Sequence, residues 1–208
     1  MVTWLKVRHQ VALWGRVTDA GTGKALPGAL ISIDDGDDKS PVKFRKLLHA
    51  RAMQYGSAWG AMAERPDRKR AADDGSFYFL DLPEGDYCLG ASLTNMGTRY
   101  GTAEAKATVV KNGTGDYRRA FVELALQATT VRGRVTGARH RNGVAMAEVR
   151  VKGSGERTFS DAQGQYVLAG LEPGKRTILA YAQGYKQTEN VVDLRGAGAS
   201  ETLNFEFG

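Results

Sequence analysis

Cysteine is nearly absent from this sequence: Cys88 is the only one among 208 residues, so no disulfide can form within the chain. Long apolar runs are missing as well. The run Val11–Trp14, which follows Lys6 and Arg8, is far shorter than the ~7–15 apolar residues of a secretory signal. No stretch approaches the ~20 apolar residues of a membrane span. From these absences we expect a cytoplasmic protein.

Residues that commonly carry catalysis are also scarce. The three histidines are His9, His49 and His140, and none is followed three residues later by the glutamate of a zinc-binding His-x-x-Glu pair. No Gly-rich phosphate loop and no arrangement of Ser, His and Asp stands out. We therefore expect no enzymatic activity, no catalytic residue and no cofactor.

An acidic run at Asp34–Asp38 is the best candidate for a metal site, because hard cations prefer clustered carboxylates. The run lacks the alternating spacing and the distant glutamate of an EF-hand loop. A solvated loop is the simpler interpretation. We predict no metal site and leave open whether this run binds a cation.

A repeat dominates what is present. In Asp74–Tyr87, apolar residues alternate with others on both sides of a turn that contains Pro83 and Gly85, which predicts two strands joined by a tight turn. The same pattern recurs 89 residues later. The matched pairs are Gly75 and Gly164, Phe77 and Tyr166, Phe79 and Leu168, Leu82 and Leu171, and Gly85 and Gly174.

A second repeated block lies upstream in each copy. Leu13–Thr18 matches Val131–Thr136, and Ala29–Ile33 matches Ala147–Val151, both at an offset of 118 residues. Alternating apolar residues in all four segments are typical of half-buried strands. We therefore predict an all-β protein of two tandem antiparallel β-sandwiches. The predicted domains are residues 1–126, which include an N-terminal leader, and residues 127–208.

The first copy carries an insertion. Between the second and third predicted strands the offset falls from 118 to 89, so the first copy is 29 residues longer, and we place the extra residues at about 37–72. Ser40 followed by Pro41 predicts an N-cap and the first residue of a helix. Apolar residues at spacings of three and four then predict a helix over residues 41–55. That stripe consists of Phe44, Leu48, Ala52, Tyr55, Trp59 and Met62.

The insertion also holds the basic charge. Residues 39–70 contain nine Lys or Arg and two acidic residues, a net charge of +7, whereas the whole chain has +6. The simplest interpretation is a solvated basic face. The insertion could instead dock on an acidic surface of another protein, or bind nucleic acid or an anionic membrane. The predicted partner-binding residues are Lys43, Phe44, Arg45, Lys46, Arg51, Tyr55, Trp59, Arg68, Lys69 and Arg70.

The repeated motifs resemble the carboxypeptidase regulatory-like domains, which share the prealbumin or transthyretin-like β-sandwich. The residues that carry the resemblance are Gly15–Val17, Leu82–Gly85, Gly133–Val135, Leu171–Gly174 and Gly184–Tyr185. The resemblance covers nearly all of residues 11–208 apart from the insertion. It implies two prealbumin-like β-sandwiches that serve as non-catalytic accessory, binding or spacer modules.

We predict a structural or interaction module that is a subunit or adaptor in a larger intracellular protein assembly. Domains of this family occur beside bacterial phage tail-like contractile injection machinery, so the resemblance makes such a particle one candidate. The alternative is a carbohydrate or cell-surface binding module, for which Trp14, Tyr78, Tyr117 and Tyr185 are the candidate aromatic residues. The sequence leaves the partner and the oligomeric state open.

Overall fold

The computed structural model describes residues 9–34, 40–62, 64–113, 115–138 and 142–208. The chain forms two compact units. The first comprises Met1–Asn95 and Ala103–Leu126, and the second comprises Met96–Thr102 and Gln127–Gly208. That residues 1–126 and 127–208 are independent domains stays a prediction.

Eight strands and two helices lie within the described residues of the first unit. In chain order they are β1 (Val11–Asp19), β2 (Leu30–Ile33), α1 (Val42–Tyr55), α2 (Ala58–Ala61), β3 (Arg68–Arg70), β4 (Ser76–Leu80), β5 (Gly85–Ser92), β6 (Ala103–Lys111), β7 (Tyr117–Arg118) and β8 (Ala120–Leu126). A 3₁₀ turn at Thr94–Met96 follows β5 in the chain.

Two sheets build the first unit, with strand orders β4-β1-β8 and β3-β2-β5-β6-β7. Strand β1 pairs in parallel with β8, and the other described pairs are antiparallel. Because successive side chains of a strand point to opposite faces, every second residue enters the interior. Fully buried side chains from both sheets include Leu13, Ile31, Phe79, Leu89 and Leu124.

The second unit repeats this arrangement in its described residues. Its strands are β9 (Thr130–Gly137), β10 (Glu148–Val151), β11 (Arg157–Phe159), β12 (Gln165–Ala169), β13 (Gly174–Tyr181), β14 (Thr188–Leu194), β15 (Ser200–Thr202) and β16 (Phe205–Phe207). One sheet has the order β12-β9-β15, with β16 also paired to β9, and the other has the order β11-β10-β13-β14. The core includes Val135, Val149, Leu168, Ile178 and Phe205.

Equivalent glycines in β1 and β9 let the parallel partner strand approach closely. A Cβ atom on Gly15 would lie 2.1 Å from the carbonyl oxygen of Val122, and one on Gly133 would lie 1.8 Å from that of Leu203. Neither distance leaves room for a side chain. The repeated glycine is therefore a packing requirement of the fold.

The predicted fold class is confirmed: the protein is mostly β, and both α-helices of the described residues lie in the insertion. The sandwiches are not purely antiparallel as predicted, because the first strand of each unit pairs in parallel with the last strand or strands of that unit. Neither helix in the described part of the chain is long and apolar enough to cross a membrane.

The insertion is shorter at its C-terminal end than the predicted range 37–72. Residues 68–70 form β3, which pairs with β2 just as β11 pairs with β10. The segment that lacks a counterpart therefore lies between Ile33 and Arg68, where the second unit has only residues 152–156 between its strands. Sequence analysis missed β3 because three consecutive basic residues show no apolar alternation.

Candidate partner-binding surface

Helix α1 is anchored on the first unit by two apolar side chains. Phe44 and Leu48 are its buried residues. The Phe44 ring meets the ring of Tyr87 edge-on, with 5.5 Å between the ring centroids. The Tyr87 hydroxyl donates a hydrogen bond of 2.6 Å to the carbonyl oxygen of Pro83, and burial raises the pKa of this phenol. The Phe44 ring thus anchors the helix on Tyr87 of β5.

This anchoring corrects the prediction for Phe44. Its side chain is 0% exposed, so it cannot be part of a surface that meets a partner. A stripe of period 3.6 marks the face that a helix buries, and Phe44 lies at the centre of that face. Its role is to hold α1 in place.

The start of α1 also differs from the prediction. The helix begins at Val42 after Pro41, and no side chain among the described residues caps it. Ser40 is buried, and its Oγ donates a 2.7 Å hydrogen bond to the carbonyl oxygen of Asp34. The serine is therefore bonded to Asp34 and does not cap the helix. Residues 35–38 of the run Asp34–Asp38 lie outside the described part.

The opposite side of α1 is exposed and combines cations with apolar side chains. We define the α1 outer face as Val42, Lys43, Lys46, Leu47 and Met53, all of which are exposed. Met53 reaches 73% exposure. On the helical repeat, Val42, Lys46 and Met53 lie opposite Phe44 and Leu48, and Lys43 and Leu47 border that side.

The remaining predicted cations of α1 flank this face. Arg51 is exposed, and its Nη1 donates a 3.1 Å hydrogen bond to Oε1 of Gln54 within the helix. Arg45 is half-buried. Lys43, Lys46 and Arg51 are therefore the cations of α1 that are most open to a partner.

Charge in α1 opposes the helix dipole. The sequence of the helix contains no acidic residue, and Lys43, Arg45 and Lys46 lie near its N-terminal end. Cations at that end are unfavourable by typically 0.3–1 kcal/mol each, that is roughly 1 kcal/mol or more in total. A carboxylate-bearing partner at this surface would offset that cost.

The far end of the insertion is held by an aromatic and ionic cluster. The rings of Tyr55 and Trp59 stack with centroids 6.2 Å apart. The guanidinium carbon of Arg65 lies 4.7 Å from the centroid of the Trp59 ring, a cation–π contact. Arg65 also forms a bidentate ion pair with Asp67, and both of these side chains are largely buried. Trp59 is half-buried, whereas Tyr55 keeps an exposed edge.

The basic residues of β3 mainly contact other residues of the first unit. Lys69 pairs with Glu64 at 2.8 Å, and Arg70 donates a 3.3 Å hydrogen bond to the carbonyl oxygen of Gly28. Nε of Arg68 is buried and finds no hydrogen-bond partner among the described residues. Two of the three cations in this run are therefore bonded to other residues of the first unit.

The aromatic residues named for carbohydrate binding are brought together only in part. Trp14 and Tyr78 are direct cross-strand partners in the sheet β4-β1-β8. Tyr117 lies in β7 of the other sheet, below the Nζ of Lys111, and Tyr185 stacks on Phe207 in the second unit. Sequence analysis missed Phe121, which is the partner of Trp14 on the other side. Its exposed position was visible in the alternation of β8, but its pairing with Trp14 was not.

The described residues contain no group of three or more His, Cys, Asp or Glu able to hold a metal ion. Three carboxyl groups, those of Asp74, Asp81 and Glu172, have a lowered pKa. Hydrogen bonds from the hydroxyl and amide of Ser76 lower the pKa of Asp74. Hydrogen bonds from Thr98 and Arg99 lower the pKa of Glu172. In Asp81, partial burial opposes the lowering, but hydrogen bonds from Gln10 and His9 outweigh it. All three are ordinary stabilised carboxylates.

Comparison with known proteins supports the predicted resemblance for the second unit. Residues 130–208 match the model of the carboxypeptidase regulatory-like domain. The resemblance is therefore confirmed for this part of the chain. No curated protein matches the sequence.

Solved structures with a similar arrangement share little sequence with this chain. The Bacillus anthracis TIE protein is 15% identical with a TM-score of 0.40, and the alignment covers 94% of this chain and 33% of that one. The shaft pilin SpaA from Lactobacillus rhamnosus GG is 13% identical with a TM-score of 0.39, covering 97% and 98%.

A chain of a type II cohesin–X–dockerin complex from Acetivibrio cellulolyticus is 16% identical with a TM-score of 0.33, covering 38% and 57%. This chain thus spans about a third of the first of these proteins and little more than half of the last. Likeness at such identities concerns the fold alone.

Proposed function

We propose that this protein is a non-catalytic interaction module that joins a larger protein assembly, and that the α1 outer face docks on an acidic surface of another subunit. One observation carries the proposal: a helix without any carboxylate presents exposed lysines beside exposed apolar side chains. Such a surface is complementary to an acidic groove with an apolar floor.

The apolar content of the α1 outer face favours a protein partner over nucleic acid. Val42, Leu47 and Met53 are all exposed there, and methionine is enriched in protein interfaces. Binding to a phosphate backbone depends mainly on cations, and the densest cationic run, Arg68–Arg70, is partly engaged inside the first unit. An acidic groove with an apolar floor on another protein would contact both the cationic and the apolar side chains of this face.

The kind of assembly is a finer part of the proposal. A subunit or adaptor role fits two β-sandwich units without a metal cluster in their described residues. A phage tail-like contractile injection particle is one candidate, and it rests on the family resemblance only.

The test reverses the charge of α1 without touching its buried residues. A variant with Lys43→Glu, Lys46→Glu and Arg51→Glu keeps Phe44 and Leu48, so we expect it to fold. Tagged proteins are captured from lysate of the native host at low and at high salt, and co-purifying proteins are identified by mass spectrometry. We expect one reproducible set of acidic partner proteins with the natural sequence, weakened at high salt and lost in the variant.

The matched control reverses three exposed cations of the second unit: Lys175→Glu, Lys186→Glu and Arg195→Glu. It changes the net charge by the same amount, so a general charge effect would remove the partners from both variants. Retention of the partners by the α1 variant would refute the proposed docking surface. Recovery of nucleic acid or anionic lipid in place of protein would also refute it.

A further inference from the structure

Three exposed aromatic side chains form a row across one sheet of the first unit. Trp14 of β1 is the direct partner of Tyr78 in β4 and of Phe121 in β8, so all three point to the same face. They are 44%, 56% and 54% exposed. The rings of Trp14 and Phe121 are in contact, with centroids 4.7 Å apart and planes at 57°. We call this set the aromatic row.

A polar row runs beside the aromatic row on the same face. Two residues further along each strand, Arg16 pairs with Ser76 on one side and with Glu123 on the other. The Nε of Arg16 donates a 3.0 Å hydrogen bond to the carbonyl oxygen of Asp74, which fixes the position of the guanidinium group. This second row offers one hydroxyl, one cation and one carboxylate, with no net charge.

The fold does not require the aromatic row. At the equivalent positions of the second unit, Arg132 of β9 takes the place of Trp14 and Val167 of β12 takes the place of Tyr78. Thr202 of β15 is the partner of Arg132 on the side that corresponds to Phe121. The same scaffold is thus built without any aromatic side chain on this face.

We propose that the aromatic row and the polar row together bind an extended, neutral polysaccharide. The faces of pyranose rings carry C–H groups that pack on the electron-rich faces of aromatic rings. Sugar hydroxyls both donate and accept hydrogen bonds, so they can pair with the hydroxyl of Ser76, the guanidinium of Arg16 and the carboxylate of Glu123.

Size and charge select this ligand over other occupants. With strands about 4.8 Å apart, the aromatic row is roughly 10 Å long, and the polar row lies roughly 7 Å from it along the strands. The two rows alone offer far less than the ~800 Å² that each partner buries in a stable protein interface, which argues against a second copy of the chain held by them alone. The polar row has no net charge, and the Asp74 carboxylate beside Ser76 adds a negative charge, so this face does not attract an anionic polymer. A short stretch of neutral glycan suits both properties.

This inference does not depend on the proposed docking of α1, because it concerns a different face of the first unit. The test is affinity electrophoresis of the full chain through native gels that contain hydroxyethyl cellulose, xylan or galactomannan. We expect retardation in at least one of these gels. The variants Trp14→Ala, Tyr78→Ser and Phe121→Ser should each weaken it by about tenfold, since losing one stacked ring removes on the order of one such contact.

Two controls keep the result decisive. Val167→Ser alters the equivalent exposed position of the second unit and should leave the retardation unchanged. Tyr78 and Phe121 are more exposed than Trp14, so we expect their substitution to disturb folding less. Thermal unfolding checks that each variant is folded.

Absence of retardation by all three polysaccharides would overturn the proposal. So would equal retardation of a folded Tyr78→Ser variant and the natural sequence. Self-association that is lost in the same variants, without any binding of glycan, would assign the aromatic row to a second copy and would also overturn it.

Discussion

The two units share one scaffold and differ in what they add to it. In both, a glycine of the first strand leaves room for a parallel neighbouring strand. In both, a backbone hydrogen bond also closes the connection between the second and third strands. The amide of Ile33 donates to the carbonyl oxygen of Asp67 at 2.8 Å, and the amide of Val151 donates to that of Glu156 at 3.0 Å.

Inside that closure the first unit holds a basic helix, whereas the second holds a turn of residues 152–156. The residues that the two units share build the sandwich, and we therefore expect the function to depend on the residues in which the units differ.

The largest expected effect tests the shared scaffold. Gly15→Ala and Gly133→Ala should each destabilise the protein by at least about 3 kcal/mol, because the new Cβ would overlap a backbone oxygen that cannot move independently. Chemical denaturation measures the change. Gly90→Ala in β5 is the matched control, since its Cβ would lie an ordinary 3.7 Å from Oγ of Ser32. If Gly15→Ala were as mild as the control, the two units would not share this packing requirement.

A change of somewhat smaller size tests what anchors the insertion. Phe44→Ala should cost about 3 kcal/mol in the stability of the α1 region, because it empties a fully buried site against Tyr87. Hydrogen exchange should show loss of protection in α1 and little change in β9–β16. Met53→Ala on the exposed side should have almost no effect. Unchanged protection of α1 in Phe44→Ala would mean that another contact holds the helix.

The smallest expected effect concerns the carboxylate of Glu172, which accepts hydrogen bonds within the second unit. Thr98 Oγ1 donates a 2.6 Å hydrogen bond to Glu172, and Arg99 Nε donates another of 3.1 Å, and these bonds lower the pKa of the carboxyl group. The folded state therefore gains stability above the unfolded pKa of about 4.3, and this gain is lost as the pH falls through the lowered value.

Glu172→Gln should accordingly lower the melting temperature slightly at about pH 7, and this effect should shrink as the pH falls through the lowered pKa. Glu206→Gln, on an exposed position of β16, is the control for a general change of charge. A difference between Glu172→Gln and the natural sequence that did not shrink with falling pH would contradict this assignment.

Local patterns in the sequence predicted most of the sandwich because alternation and turn residues act over short distances. The hairpins, the repeated glycines and helix α1 were all visible in this way. Strand β3 was not, since Arg68–Arg70 forms a short edge strand without apolar alternation. The second unit offered a signal that was overlooked: at the offset of 89 residues, Arg68 matches Arg157, the first residue of β11.

The candidate surfaces were harder to predict because they depend on which residues meet across the fold. The helical stripe located α1 correctly, but it marks the buried side, so Phe44 was assigned to the wrong face. Trp14 and Tyr78 were recognised as aromatic candidates. Phe121 was missed, because pairing across 107 residues of chain depends on strand register and not on local pattern.

The most direct test of the central claim replaces residues 34–67 of the first unit by residues 152–156 of the second. The equivalent hydrogen bonds of Ile33 and Val151 make the two connections interchangeable in principle. The measurement is capture of partner proteins by the chimera and by the natural chain, with cooperative unfolding as the check on folding. We predict a folded chimera that has lost the partners. A folded chimera that retained the same partners would show that the insertion is not the docking element.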